Sequence, residues 1–145
     1  MSDDAADRRR EKTERAAFHV GAQRRRSEEE SAKAQVLIDG FVQQAQQAGL
    51  PTEELTARPW SGGGRYRTGV VGWYLRSNRS VGVGTDGSFY VLTVAPVRLG
   101  RWRTVRMDPT PPPLVVGKGA GDGEVFDLDV LLRQRLEWPG PAQAG

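Results

Sequence analysis

The chain has 145 residues, of which 37% are hydrophobic, with 21 basic and 18 acidic side chains and a formal charge of +3. That length suits one domain with charged appendages. It holds no cysteine, which excludes a disulfide framework, a thiolate metal site and a cysteine nucleophile. No stretch approaches the roughly 20 apolar residues that span a bilayer.

Residues 1–26 are rich in Arg, Glu, Ala and Asp, with Phe18 and Val20 the large apolar residues beyond Met1. Helix propensity is good, but no apolar stripe is available to dock. Isolated helices of this kind are marginal in water, so a frayed helix or a disordered extension is expected here. No apolar segment follows Met1-Ser2-Asp3-Asp4, which does not read as a signal peptide. A cytoplasmic protein without a membrane partner is the expectation.

Ser27-Glu28-Glu29-Glu30 fits a capping box, with Ser27 as N-cap and Glu30 three residues on. The helix that follows has apolar residues at Ala34, Leu37, Ile38, Phe41, Ala45 and Ala48, a helical spacing. Gly49 and Leu50 before Pro51 read as a Schellman stop. Pro51 to Leu55 is expected to form a helical turn. Trp60, before Gly62-Gly63-Gly64, is expected to fold back on the core.

Residues 70–94 read as a three-stranded antiparallel meander, obtained by counting. Thr85-Asp86-Gly87 suits a three-residue hairpin loop with Gly87 left-handed. That register pairs Val83 with Phe89, Gly82 with Tyr90 and Val81 with Val91. Ser77-Asn78-Arg79 closes the earlier hairpin, with Asn tolerating positive φ, and pairs Tyr74 with Gly82 and Trp73 with Val83. One face then carries Val71, Trp73, Leu75, Val81, Val83, Phe89 and Val91, a core face on which Leu37, Ile38 and Phe41 pack. The other carries Tyr74, Arg76, Tyr90, Leu92 and Val94, with Tyr74 and Tyr90 flanking the bare Gly82. Covering a glycine with cross-strand rings stabilises a sheet. The same rings would also serve as an aromatic platform.

Leu99 to Met107 reads as a fourth, edge strand, whose charged residues would block edge-to-edge pairing. Residues 108–113 are an extended Pro-rich linker, and Leu114-Val115-Val116 is a short fifth strand. Gly117 to Gly123 is a loop that fails the phosphate-loop pattern, because Gly119 stands where Ser or Thr must follow Lys118. Asp127 caps a final helix with Leu128, Leu131, Leu132 and Leu136 on one face. Residues 139–145 are a loose tail.

The expected fold is therefore α+β. An antiparallel meander of four or five strands carries an N-terminal helix on one face and a C-terminal helix, all within residues 27–138. His19, the one histidine, lies in the charged extension, which excludes a conventional Ser–His–Asp arrangement in the core. No catalytic constellation, metal ligand set or cofactor motif presents itself. The charge layout is more informative: residues 58–107 hold nine Arg against Asp86 alone. Two functional classes follow. The first is a non-enzymatic accessory module with a protein partner. The second is a binder of anions or single-stranded nucleic acid through Tyr74, Arg76, Tyr90, Arg67, Arg101 and Arg103, since stacking rings plus Arg are how sheets hold single strands.

Overall fold

The computed structural model describes residues 2–117, 124–138 and 140. It is an α+β structure with a long N-terminal helix, a mixed five-stranded sheet, a separate two-stranded sheet and a C-terminal helix. The expected loop at 118–123, and all of the expected tail at 139–145 except Gly140, lie outside the described residues.

Helix α1 runs from Ser2 to Gln47 without a break at Ser27. At about 1.5 Å per residue its 46 residues span roughly 69 Å. The capping box at Ser27 is therefore interior and serves no helix start. The physical reason is nucleation. Ala34, Ile38, Phe41, Val42 and Ala45 are buried, so the C-terminal half is held by packing, and propagation into Ala- and Arg-rich chain then costs little. Residues 3–20 are all exposed, as the missing apolar stripe requires. Leu37, expected in the core, lies on the exposed side of the stripe. The helix stops as a Schellman motif: Gly49 has φ 66°, Leu50 N–H donates to the Ala45 carbonyl at 2.9 Å, and Gly49 N–H to Gln46 at 3.1 Å.

Pro51 to Leu55 is not a helical turn. Strand β1, Glu53–Pro59, begins there and pairs antiparallel with β2, Tyr66–Tyr74. Local propensity at Glu53-Glu54 is overridden by this long-range pairing, which a sequence window does not contain. The register shifts between Glu54 and Thr56. The Thr68 hydroxyl donates to the Leu55 carbonyl there, keeping the irregularity satisfied.

Strands β3, Val81–Gly84, and β4, Phe89–Val91, complete the hairpins in the counted register: Trp73 with Val83, Tyr74 with Gly82, Gly82 with Tyr90, Val83 with Phe89. Gly87 is left-handed, with φ 87°, and Asp86 Oδ1 accepts from Ser88 N–H at 2.9 Å. In the other turn the left-handed residue is Arg79, with φ 59°, not Asn78. Asn78 instead accepts from Ser80 N–H through its side chain, at 3.0 Å.

The sheet is mixed rather than a purely antiparallel meander. Strand β5, Thr93–Val94, follows β4 after Leu92 alone and pairs in parallel with β1, at the opposite edge of the strand order β4-β3-β2-β1-β5. Leu92 N–H donates to Ser80 and its carbonyl accepts from Arg58 N–H. The sheet thus curls back on itself. Trp73, Leu75, Val81, Val83 and Phe89 on the convex side pack against α1 and against α2, Leu128–Glu137. Trp73 sets the junction: its Nε1–H donates to the Leu50 carbonyl at 3.1 Å, and its ring meets Phe41 edge-on at 5.6 Å. Val71 and Val91, at the ends of the expected core face, stay exposed.

Residues 99–107 do not form a fourth edge strand. A short 3-10 helix, Gly100–Trp102, is followed by one parallel bridge from Thr104 to Arg67. Strand β6, Val115–Val116, pairs with β7, Phe126–Asp127, in the separate sheet. Trp60 does not fold back; it is exposed.

Candidate anion-binding groove

Curling decides the fate of the expected aromatic platform. Tyr74 and Tyr90 are 2% and 7% exposed, inside the curl with Leu55 and Leu92. The Tyr74 hydroxyl accepts from Thr56 N–H at 2.8 Å. These rings offer no surface for stacking. They are covered chiefly by the sheet's own opposite wall, with Trp138 from beyond α2 packed against them.

The arginines expected beside them scatter. Arg76 pairs with Glu124 at 2.9 Å and lies over the Phe126 ring at 4.9 Å. Arg67 is exposed and forks onto Glu54 at 3.1 and 3.3 Å, and that carboxylate raises its pKa. Arg101 and Arg103 are exposed at the far end of the sheet, beside the 3-10 helix. The six candidates are therefore not one site.

A different set of cations converges. An open groove of about 900 Å³ lies between the sheet and residues 113–117, and Arg58, Arg65, Arg76 and Arg79 line it. Arg65 is fixed from three directions: its guanidinium donates to the Thr56 hydroxyl, the Thr56 carbonyl and, at 3.2 Å, the Arg79 carbonyl. Its pKa is lowered, first by burial, with the Arg79 and Arg58 charges adding to the effect against the partial offset of Tyr74. Arg79 is held by its left-handed turn, with its guanidinium 5.9 Å from the Tyr74 ring centre. Its Nε is buried and has no hydrogen-bond partner among the described residues.

The lining carries one carboxylate, Glu30, and it is occupied: Oε1 accepts from Leu114 N–H at 3.0 Å. That bond also anchors the far wall of the groove to α1. Val91 and Val115 add exposed apolar rims.

A second groove, of about 510 Å³, lies between β2 and α2. Its cations are more heavily engaged. Arg76 has Glu124, while Arg135, 1% exposed, donates to the carbonyls of Tyr74, Trp138 and Gly140 and stacks on Trp138 at 4.5 Å. Arg135 is a structural clamp between α2 and β2, and burial lowers its pKa.

No family model, curated protein or solved structure matches the chain. Function is therefore read from the site alone.

Sequence reasoning missed Arg58, Arg65 and Arg79 as a set. The only local signal was the run of nine Arg with one acid; that β1, β2 and the β2–β3 turn meet is a property of the curl. Among the described residues no group of three His, Cys, Asp or Glu is placed to hold a metal ion. No helix among them is long and apolar enough to cross a membrane.

Proposed function

We propose that the protein is a non-catalytic binding module, and that its arginine groove takes an anionic group of a macromolecular partner. The observation that carries this reading is the convergence of Arg58, Arg65 and Arg79 on one groove, close enough that the Arg79 and Arg58 charges help lower the Arg65 pKa. A phosphate or carboxylate group in the groove would relieve the mutual repulsion of the three guanidinium groups. The lining favours binding of an anion: four arginines face one carboxylate, Glu30, whose Oε1 accepts from Leu114 N–H. Arg76 holds Glu124, so this pair adds little net charge to the groove.

The test is calorimetric titration of the full chain with inorganic phosphate and pyrophosphate at low ionic strength. Binding is expected, weaker with added salt. Arg79→Ala should abolish it. Arg133→Ala should not, since Arg133 pairs with Asp129 on the exposed side of α2. Equal binding by wild type and Arg79→Ala would refute the groove as the anion site.

A further inference from the structure

The end of the sheet beyond Arg58 carries an unusual surface. Trp60 is 73% exposed, Leu99 62% and Trp102 80%, whereas Trp73 is 1% exposed. Arg98, Arg101 and Arg103 are exposed among them. These residues sit on two loops tied together at one end. Trp60 N–H donates to the Val94 carbonyl at 3.0 Å, and Val97 N–H to the Tyr66 hydroxyl at 3.2 Å. A Cβ on Gly64 would stand 3.3 Å from Arg101 Nε, so the turn after Trp60 touches the 3-10 helix. A Cβ on Gly62 or Gly63 would meet nothing within 4 Å, so the surface beside Trp60 is open. Leu99 is a non-glycine residue with φ 58°. Left-handed backbone costs a leucine energy that no packing returns here, a kind of strain that collects at functional surfaces.

This surface continues the groove. Arg58, near the end of β1, and Trp60, in the turn just after it, are both exposed with buried Pro59 between them, and their N–H groups bond to alternate carbonyls, Leu92 and Val94. Arg58 lines the groove and Trp60 opens the loop surface. Residues 58–107 hold one acid, Asp86, and it is engaged with Ser88 in the β3–β4 turn. The path from Arg79 to Trp102 is therefore rich in arginine, the neighbouring acids Glu30, Glu124 and Glu54 being bonded to Leu114, Arg76 and Arg67, and Trp60 and Trp102 are exposed beside it. A compact anion would need only the groove. An acidic peptide would use the arginines and would meet the two indoles only where an aromatic or proline residue falls at each. A chain that alternates phosphates with planar bases uses both.

We propose that single-stranded nucleic acid is the partner, its phosphates held by Arg79, Arg65, Arg58, Arg101 and Arg103 and its bases stacked on Trp60 and Trp102. The phosphate contacts rest on the groove reading above; the stacking does not. Stacking on an exposed ring tolerates any base, so binding should show little sequence preference and strong salt dependence.

The test is fluorescence anisotropy of the full chain with a labelled oligothymidylate about 12 nucleotides long, at low and physiological salt. Trp60→Ala and Trp102→Ala should each weaken binding roughly 5- to 150-fold, the range that one lost base stack implies. Trp60→Phe and Trp102→Phe should retain most of it, because a ring remains. Both tryptophans are exposed, so thermal melts should not move. Oligonucleotide binding that ignores both Ala variants overturns the stacking proposal. If Arg79→Ala still abolishes phosphate binding in that case, the groove reading survives alone. Phosphate binding unchanged in Arg79→Ala, with the Trp variants still weakened on the oligonucleotide, would remove the groove and keep the stacking surface. Recruitment to phosphatidylserine vesicles without oligonucleotide binding, lost in Leu99→Ala, would overturn the nucleic-acid assignment in favour of an anionic lipid surface.

Discussion

Gly82 is the residue on which the curled sheet can be tested most directly. Were the meander flat and its second face open, Gly82→Ala would relieve the entropic cost of a strand glycine and stabilise the protein by about 0.5–1 kcal/mol. Inside the curl the sign reverses. The new Cβ would stand 2.9 Å from Leu55 Cδ1, 3.1 Å from the Trp73 carbonyl oxygen and 3.4 Å from Leu92 Cδ1. The two leucine methyls belong to flexible side chains, but both residues are fully enclosed and have little room to retreat. The carbonyl is part of the β2 strand itself. Overpacking of this kind costs about 1–3 kcal/mol, so the net effect is a loss of about 0–2.5 kcal/mol after the glycine entropy is returned. Two companions calibrate it. Gly72→Ala would bring Cβ to 2.0 Å from the Val83 carbonyl, across the β2–β3 pair, and should cost more than ~3 kcal/mol or abolish cooperative folding. Gly40→Ala, in α1 with nothing within 4 Å, should stabilise by about 1 kcal/mol. Urea melts followed by circular dichroism give all three. A Gly82→Ala that stabilises by the roughly 0.5–1 kcal/mol of an open face would refute the enclosed second face, and with it the burial of Tyr74 and Tyr90.

Other outcomes follow from named contacts. Arg135→Met keeps the volume but leaves the Tyr74, Trp138 and Gly140 carbonyls without their donor, and should cost ~2–3 kcal/mol in the same melts; Arg135→Lys should not rescue it, since one ammonium does not span three acceptors. Tyr74→Phe should cost ~1–2 kcal/mol by stranding Thr56 N–H, whereas Tyr90→Phe should be nearly silent because its hydroxyl has no partner among the described residues; equal losses would contradict this placement. Deleting residues 1–26 should leave the melting temperature almost unchanged, because that part of α1 is overwhelmingly exposed and Ser27 then becomes free to act as a true N-cap; a large fall in scanning calorimetry would mean the arm docks.

The candidate site was legible in the sequence only as composition. Nine Arg against one acid in residues 58–107 pointed to an anion, and exposed aromatic rings were sought beside them. The rings sought were Tyr74 and Tyr90, because alternation placed them together on a sheet face. Alternation does not say whether a face is open. Trp60 and Trp102 were not singled out as exposed rings, because a lone tryptophan beside glycines or arginines reads equally as a core peg.

What the sequence determined by itself was local. The Schellman stop at Gly49, the left-handed Gly87, the register of both hairpins and the docking stripe of α1 at Ala34, Ile38, Phe41 and Ala45 all follow from residue types at short spacing. Tertiary structure alone decided three things. It extended α1 back to Ser2, because a docked half supplies the nucleus that an isolated segment lacks. It made Glu53–Pro59 a strand, because the partner that pairs with it begins at Tyr66. And it closed the sheet on itself at Leu92, where Ser80 and Arg58, remote in sequence, bond to the two sides of one residue. That closure buries one aromatic pair and brings Arg58, Arg65 and Arg79 to one groove. Its cause is the summed twist and bending of the strands, a quantity that no window of sequence contains.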